Sequence, residues 1–301
     1  MTQPGDIATE HGPDAMASVH LRILATSDLH AHLLPFDYFT DRRVPGVGLA
    51  RLGTLIAAAR AAAKHSILVD NGDTLQGAPL ADAAVAEIVP SGRAHPMIAA
   101  MNGLGYDAAT LGNHDFDYGI PHLEASIAAA DFPIVLANAR RTNGQPFLPR
   151  ATILERDVDD ASGETHRLRI GITGVTPPQV ADWNRAHLDG HLVFTDILAA
   201  VEVQVRDLRA QNADLIIVLA HSGLGSLIEP TQAENVAQLI SQLPGVDAVV
   251  AGHTHRVRPE TPPRPTVGVP IVQPGAFGSH LGCIDLSLLP PGRCGSSQTR
   301  W

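Results

Sequence analysis

The sequence predicts an α/β fold, and three observations carry that prediction. Apolar runs of strand length alternate with longer amphipathic segments through most of the chain. Hydrophobic residues make up 45% and charged residues 17%, so a large core can be buried. The length of 301 residues lies near the upper size for one domain.

Taken in order, LRILATSD reads as a strand, and GLARLGTLIAAARAAAKH as a helix with Leu49, Leu52, Ile56 and Ala59 on one face. SILVDNGD is again a strand, DAATLGNHD a weaker one, and GIPHLEASIAAAD a helix. FPIVLANA, LRIGITGV, DLIIVLAHS and DAVVAGHTH are further apolar runs. Among them TDILAAVEVQVRDLRAQ reads as a helix capped by Thr195, with Ile197, Val201, Val205 and Leu208 as its buried stripe. IVQPGAFGSHLGCIDLSLL is expected to form paired strands, and RPETPPRPTVGVP is too rich in proline for regular structure. The chain divides into a polar N-terminal segment (1–20), one domain (21–289) and a tail (290–301) expected to be disordered.

Composition narrows the function. A formal net charge of −10 argues against a nucleic-acid polymer as partner, while small phosphate compounds stay open because a metal can supply positive charge. The two cysteines, Cys283 and Cys294, make no disulfide framework. The first twenty residues are polar and acidic and lack the pattern of a signal peptide, which on sequence alone reads as cytoplasmic. No apolar stretch reaches the length of a membrane span.

The ends of the apolar runs carry the chemistry. They close with Asp28 and His30, with Asp73, with Asn113, His114 and Asp115, with His221, and with His253 and His255. One such residue is an ordinary turn or surface group. Ligand-type residues at five strand ends point instead to one site beyond the carboxyl edge of a sheet. In extended chain, residues two apart face the same way, so His253 and His255 are expected to serve one ion each of a pair. Asp28 and His30 are expected to converge on one ion, and a carboxylate must bridge the two. Gly72 allows a sharp turn before Asp73. Mixed oxygen and nitrogen donors without cysteine suit catalytic manganese, zinc or iron.

Together DLH, GD, GNHD, AHS and GHTH resemble the motifs of calcineurin-like metallophosphoesterases, over roughly residues 21–289. DFDYFTD, VDNGDTLQGAPLAD and GVTPPQVADWNRAHLDG are similar to the nucleotidase branch, in particular to bacterial 2',3'-cyclic-nucleotide 2'-phosphodiesterase/3'-nucleotidases. The resemblance implies a four-layer α/β/β/α sandwich. It implies one metal held by Asp28, His30, Asp73 and His255, and a second by Asp73, Asn113, His221 and His253. It makes His114 the catalytic histidine and Asp117 the acid that orients it, with Asp115 where many relatives carry Glu. The implied activity is hydrolysis of 2',3'-cyclic nucleotides and 3'-nucleotides in nucleotide catabolism. A 5'-nucleotidase or another small-molecule phosphoesterase is the second reading. A non-catalytic scaffold is the third, and it would be expected to have lost ligands that are all kept here. The family enzymes are usually periplasmic and carry a carboxyl-terminal nucleotide-binding domain, which is expected to be absent from this chain.

Single residues outside the motifs take plainer readings. His32 is expected to be a solvated loop residue, Trp183 to pack under its loop or to stack on a base, and Arg42 and Arg43 to be a surface pair. His95, His122, His187 and His191 are expected to be structural.

Overall fold

A computed structural model describes residues 18–228, 232–259, 268–288 and 299–300. Along the chain the strands are β1 (Val19–Thr26), β2 (Phe36–Asp37), β3 (Arg42–Arg43), β4 (Ser66–Asp70), β5 (Ala108–Ala109), β6 (Ala139–Arg141), β7 (Ala151–Asp159), β8 (Thr165–Val175), β9 (Leu192–Phe194), β10 (Leu215–Ala220), β11 (Ala248–Ala251), β12 (Val257–Arg258), β13 (Ile271–Pro274), β14 (Gly282–Leu288) and β15 (Thr299–Arg300). The α-helices are α1 (Leu49–Ala61), α2 (Pro79–Ala83), α3 (Pro96–Leu104), α4 (Ile120–Ile127), α5 (Val180–Trp183), α6 (Arg185–Leu188), α7 (Ile197–Ala210) and α8 (Ala237–Ile240).

Two sheets form the centre, in the orders β15-β14-β1-β4-β5 and β12-β13-β11-β10-β8-β7. β1, β4 and β5 run parallel, as do β8, β10, β11 and β13. Alternation within the strands sorts side chains into three cores. Ile23 and Ala25 of β1 meet Leu215, Ile217 and Leu219 of β10 between the sheets. Leu24 and Leu68 face outward against Leu49, Leu52 and Ile56 of α1 and Met97 and Met101 of α3. Ile216, Val218 and Ala220 face outward on the other side, against Ile197, Val201, Val205 and Leu208 of α7. The layers are helix, sheet, sheet, helix, as expected. Both faces of β10 are covered, which is why LIIVLA is an unbroken apolar run.

Several local expectations are corrected. α7 is capped by Asp196, whose carboxylate accepts from the Ala199 amide, and not by Thr195. FPIVLANA is not one ladder strand: Ile134 makes a single bridge to Ala109 and Ala139 opens β6 opposite Phe194, although Val135 and Leu136 between them are fully buried. IVQP and GCIDLSL do not pair with each other. β13 lies parallel to β11 in one sheet and β14 antiparallel to β1 in the other, because the PGAFGSH segment between them crosses the sandwich. In the expected tail, β15 pairs with Asp285 and Leu286 of β14. The rest of that tail, the first seventeen residues and residues 260–267 of the proline-rich loop lie outside the described residues.

Candidate metal centre

Every parallel ladder ends at the same rim, and the five motifs occupy the turns just beyond it. Asp28 follows β1, Asp73 follows β4, Asn113 follows β5, His221 follows β10 and His253 follows β11. The turns are tight and unusual. Asp28, His30, Asp73, His253 and His255 all have positive φ, between 47° and 68°. Each such non-glycine residue costs on the order of 1–3 kcal/mol unless its surroundings hold it. Here they do: the Asp28 amide donates to Gly72 O, the His30 amide to Asp73 O, and the His253 amide to the Asp28 carboxylate at 3.1 Å. Extended spacing therefore does not explain the paired residues. His253 and His255 stand in a left-handed bend, as do Asp28 and His30, and the bend sends the two histidines to different sides of the site.

Two glycines make the packing possible. A Cβ on Gly72, which has φ +86°, would lie 2.2 Å from the Gly112 nitrogen. A Cβ on Gly252 would lie 2.3 Å from Ser27 Oγ and 3.0 Å from Asp28 Oδ2, so only glycine lets the His253 turn approach the Asp28 turn. Asp115 staples the turns together. Its buried carboxylate accepts from the amides of Asp73, Thr74, Leu75 and Gly112 at 2.8–2.9 Å. Burial and the nearby Asp73 charge push its pKa up to about 6.

Donor atoms then converge. Asp73 Oδ2 is 3.0 Å from His221 Nε2 and 3.8 Å from His30 Nε2. Asp28 Oδ1 is 3.4 Å from His255 Nε2 and 3.8 Å from His221 Nε2. His30 Nε2 faces His255 Nε2 at 3.1 Å. Thus Asp28, His30 and His255 form one group able to hold a metal ion, and Asp28, Asp73 and His221 another. Asp28 belongs to both groups, and Asp73 Oδ2 of the second approaches His30 of the first at 3.8 Å. Asn113 and His253 make a third contact, with Oδ1 and Nδ1 2.9 Å apart. Backbone carbonyls orient two of the rings: His30 Nδ1 is 2.9 Å from Gln76 O, and His221 Nδ1 is 2.7 Å from Asn71 O. In each case Nδ1 is the donor, which turns Nε2 into the site.

The electrostatics favour a cation. His221 Nε2 is buried and has no hydrogen-bond partner among the described residues. Burial opposes charge on His221, yet Asp73 and Asp28 outweigh it and lift its pKa to about 10. Asp73 is also desolvated, but His221, His30 and His114 hold it below the usual carboxylate range. Burial keeps His30 and His253 neutral, the form that ligates metal.

At the rim, His114 begins a short 3₁₀ turn and its Nδ1 is 2.8 Å from Asp117 Oδ2. That hydrogen bond, more than burial opposes it, raises the His114 pKa. The His114 amide donates to Asp73 Oδ1 at 2.7 Å, tying its position to the centre of the site. Residues 21–257 match the family described as calcineurin-like phosphoesterase. The chain belongs to that family. A 2',3'-cyclic-nucleotide 2'-phosphodiesterase/3'-nucleotidase from Yersinia enterocolitica is 41% identical over 283 residues, 90% of this chain and 43% of that protein. The trifunctional nucleotide phosphoesterase protein YfkN of Bacillus subtilis is 38% identical over 91% of this chain and 20% of its own length. The crystal structure of calcineurin-like phosphoesterase YfkN from Bacillus subtilis aligns with TM-score 0.87 and 36% identity, covering 94% of this chain and 88% of that one. The chain spans less than half the length of the two curated relatives.

Two single-residue readings change. Trp183 is not packed under its loop: it is 49% exposed and stacked on His253, with ring centroids 5.7 Å apart and planes 19° apart. His32 is not simply solvated, since its Nδ1 is 2.9 Å from His30 O and its ring lies 4.6 Å from that of Phe277. His95 is structural as expected, buried with Nδ1 accepting from the Met97 amide at the start of α3. The staple role of Asp115 had no signal in the motifs.

Proposed function

We propose that this calcineurin-like domain is a dinuclear-metal hydrolase of phosphate esters, with 2',3'-cyclic nucleotides opened at the 2' oxygen and 3'-nucleotides as its substrates. The observation that carries the reading is the convergence of His221 Nε2, His30 Nε2 and His255 Nε2 on the Asp28 and Asp73 carboxylates, with contacts of 3.0–3.8 Å. Such a set is satisfied by cations. Asp28, His30, Asp73 and His255 would hold one ion, and Asp73, Asn113, His221 and His253 the other. Manganese, zinc or iron suits the mixed donors. When bound, the ions supply positive charge to the phosphoryl group and make an attacking water available at neutral pH.

The chain's own groups do the rest. His114 has its Nδ1 engaged by Asp117, which leaves Nε2 free to donate. Its raised pKa favours the protonated form, suited to stabilising a phosphoryl oxygen or protonating the leaving ribose alkoxide. Its amide contact to Asp73 holds it at the metal end of the cleft. The identity to the Yersinia phosphodiesterase/nucleotidase supports the cyclic-nucleotide substrate.

The test is hydrolysis of bis-p-nitrophenyl phosphate and 2',3'-cyclic AMP by protein stripped of metal and then supplied with manganese. Turnover should appear only with metal and include the cyclic nucleotide. Equal turnover in excess chelator would overturn the metal reading, and turnover of 5'-nucleotides alone would favour a 5'-nucleotidase.

A further inference from the structure

A second hollow lies apart from the metal centre, between α7 and the segment that runs from β6 to β7. Its volume is about 250 Å³. It exists because its walls carry small residues, Ala139 from β6 and Ala199 and Ala200 from the first turn of α7. No residue of the five motifs lines it.

Hydrogen bonds fix the frame around it. Asn138 is fully buried, donates through Nδ2 to Thr176 O at 2.8 Å and to Thr195 O at 3.1 Å, and accepts at Oδ1 from the Thr176 amide. That clamp ties the start of β6 to the entry of α7. Thr173 Oγ1 donates to Arg150 O at 2.8 Å and holds the chain just before β7. The hollow is therefore pre-formed, as ligand sites usually are.

Three polar side chains line it without partners. Gln204 is 5% exposed, yet its amide makes no hydrogen bond among the described residues. It stands one helical turn from Ala200, beside the buried stripe of α7. A buried amide without a partner is rare, because the lost water goes uncompensated. Arg140 and Arg150 reach the hollow from β6 and from the residue before β7. Neither guanidinium has a hydrogen bond or ion pair among the described residues. Arginines near them in sequence are engaged: Arg141 pairs with Glu124, Arg156 with Asp107, and Arg167 and Arg169 with Glu155. In a chain of formal net charge −10, two unpaired guanidinium groups at one hollow favour an anion there.

We propose that this hollow binds a small organic oxyanion. Arg140 and Arg150 hold its carboxylate or phosphate-type head, the alanine walls take its apolar body, and Gln204 pairs with a polar group on that body. A guanidinium fork matches the paired oxygens of either head. The Gln204 amide offers both donors and an acceptor, so a hydroxyl can satisfy it. The hollow is smaller than the roughly 300–1,000 Å³ of drug-sized pockets, which limits the body to about one ring. The metal centre takes no part in this binding.

The experiment is calorimetric titration of the chain, kept in chelator, with 4-hydroxybenzoate, phenylphosphonate, phenol and inorganic phosphate. At least one of the two organic anions should bind one to a chain, and the tighter names the head group. Phenol and inorganic phosphate, which each lack one half, should bind more weakly. Arg140→Ala and Arg150→Ala remove exposed side chains, leave the core intact and should each weaken binding by about ten- to a hundredfold. Gln204→Leu keeps the volume and removes the amide. It should weaken 4-hydroxybenzoate, leave phenylphosphonate unchanged and not lower the melting temperature. No binding of either organic anion by the parent would overturn the proposal and leave the hollow to solvent. Equal binding by both arginine variants would overturn it by placing the anion elsewhere. Inorganic phosphate binding as tightly as phenylphosphonate would overturn the role of the apolar walls. A lower melting temperature in Gln204→Leu with unchanged affinity would make Gln204 a packing residue.

Discussion

His114 and Asp117 show how much one pair of side chains decides. Asp117 accepts from His114 Nδ1, fixes the ring and raises its pKa. A raised pKa keeps the acid form to higher pH, so turnover that needs His114 protonated should fall on the alkaline side as that proton leaves. Asp117→Asn removes the charge, and the alkaline limb of kcat should move to lower pH. A pH–rate profile with an unmoved limb would exclude His114 as the acid. His114→Ala should lose about 10²–10⁴-fold in kcat while the metals stay bound, measured by kinetics beside elemental analysis. Equal loss of both would make His114 a ligand. The identities of these residues were legible because imidazole, amide and carboxylate groups at five strand ends have no common structural purpose. Their geometry was not legible. The left-handed turns at Asp28, His30, Asp73, His253 and His255 follow from close approach of two sheets, which no local pattern encodes. The staple at Asp115 is equally non-local, joining positions about forty residues apart.

Elements with strong periodicity were read from sequence with little loss, and those set by neighbours were not. The stripes of α1 and α7 hold because the helices lie on sheets and need an apolar face. The cap of α7 fell one residue later because Asp196 outcompetes Thr195 with a full carboxylate. The strand pair expected at β13 and β14 separated because each found an open edge in a different sheet. α3 carries a testable device. His95 is buried at its start, and burial, followed by His122, pushes its pKa down to about 4. A histidine kept neutral in the fold stabilises it above its ordinary value of about 6.5, and that contribution fades as pH falls from there towards 4. The shift corresponds to on the order of 3 kcal/mol. His95→Asn keeps an acceptor for the Met97 amide and removes the titration. Stability measured by urea unfolding should therefore fall less between pH 6.5 and 4 in the variant. The raised pKa values of Asp70 and Asp115 act in the opposite sense over part of this range, so the difference between variant and parent is the quantity to compare. Parallel curves would contradict the assignment.

At the scale of the whole molecule, two mixed sheets bring the ends of their parallel strands to one rim, and the family assignment agrees with that architecture. The apolar runs made the α/β class legible, and the order of the five motifs made the family legible. Division into two sheets was implied by the resemblance alone, because an inward-facing residue reads the same whichever sheet it meets. Among the described residues no helix is long and apolar enough to cross a membrane. The proposed dinuclear site is one that both sheets build around Asp73. It is tested most directly by counting metal ions on the purified chain and on Asp73→Ala after loading with manganese and desalting. The expected result is two ions per parent chain, fewer than one on the variant, and the loss of nearly all phosphodiester hydrolysis with them. Two ions retained by Asp73→Ala would contradict it.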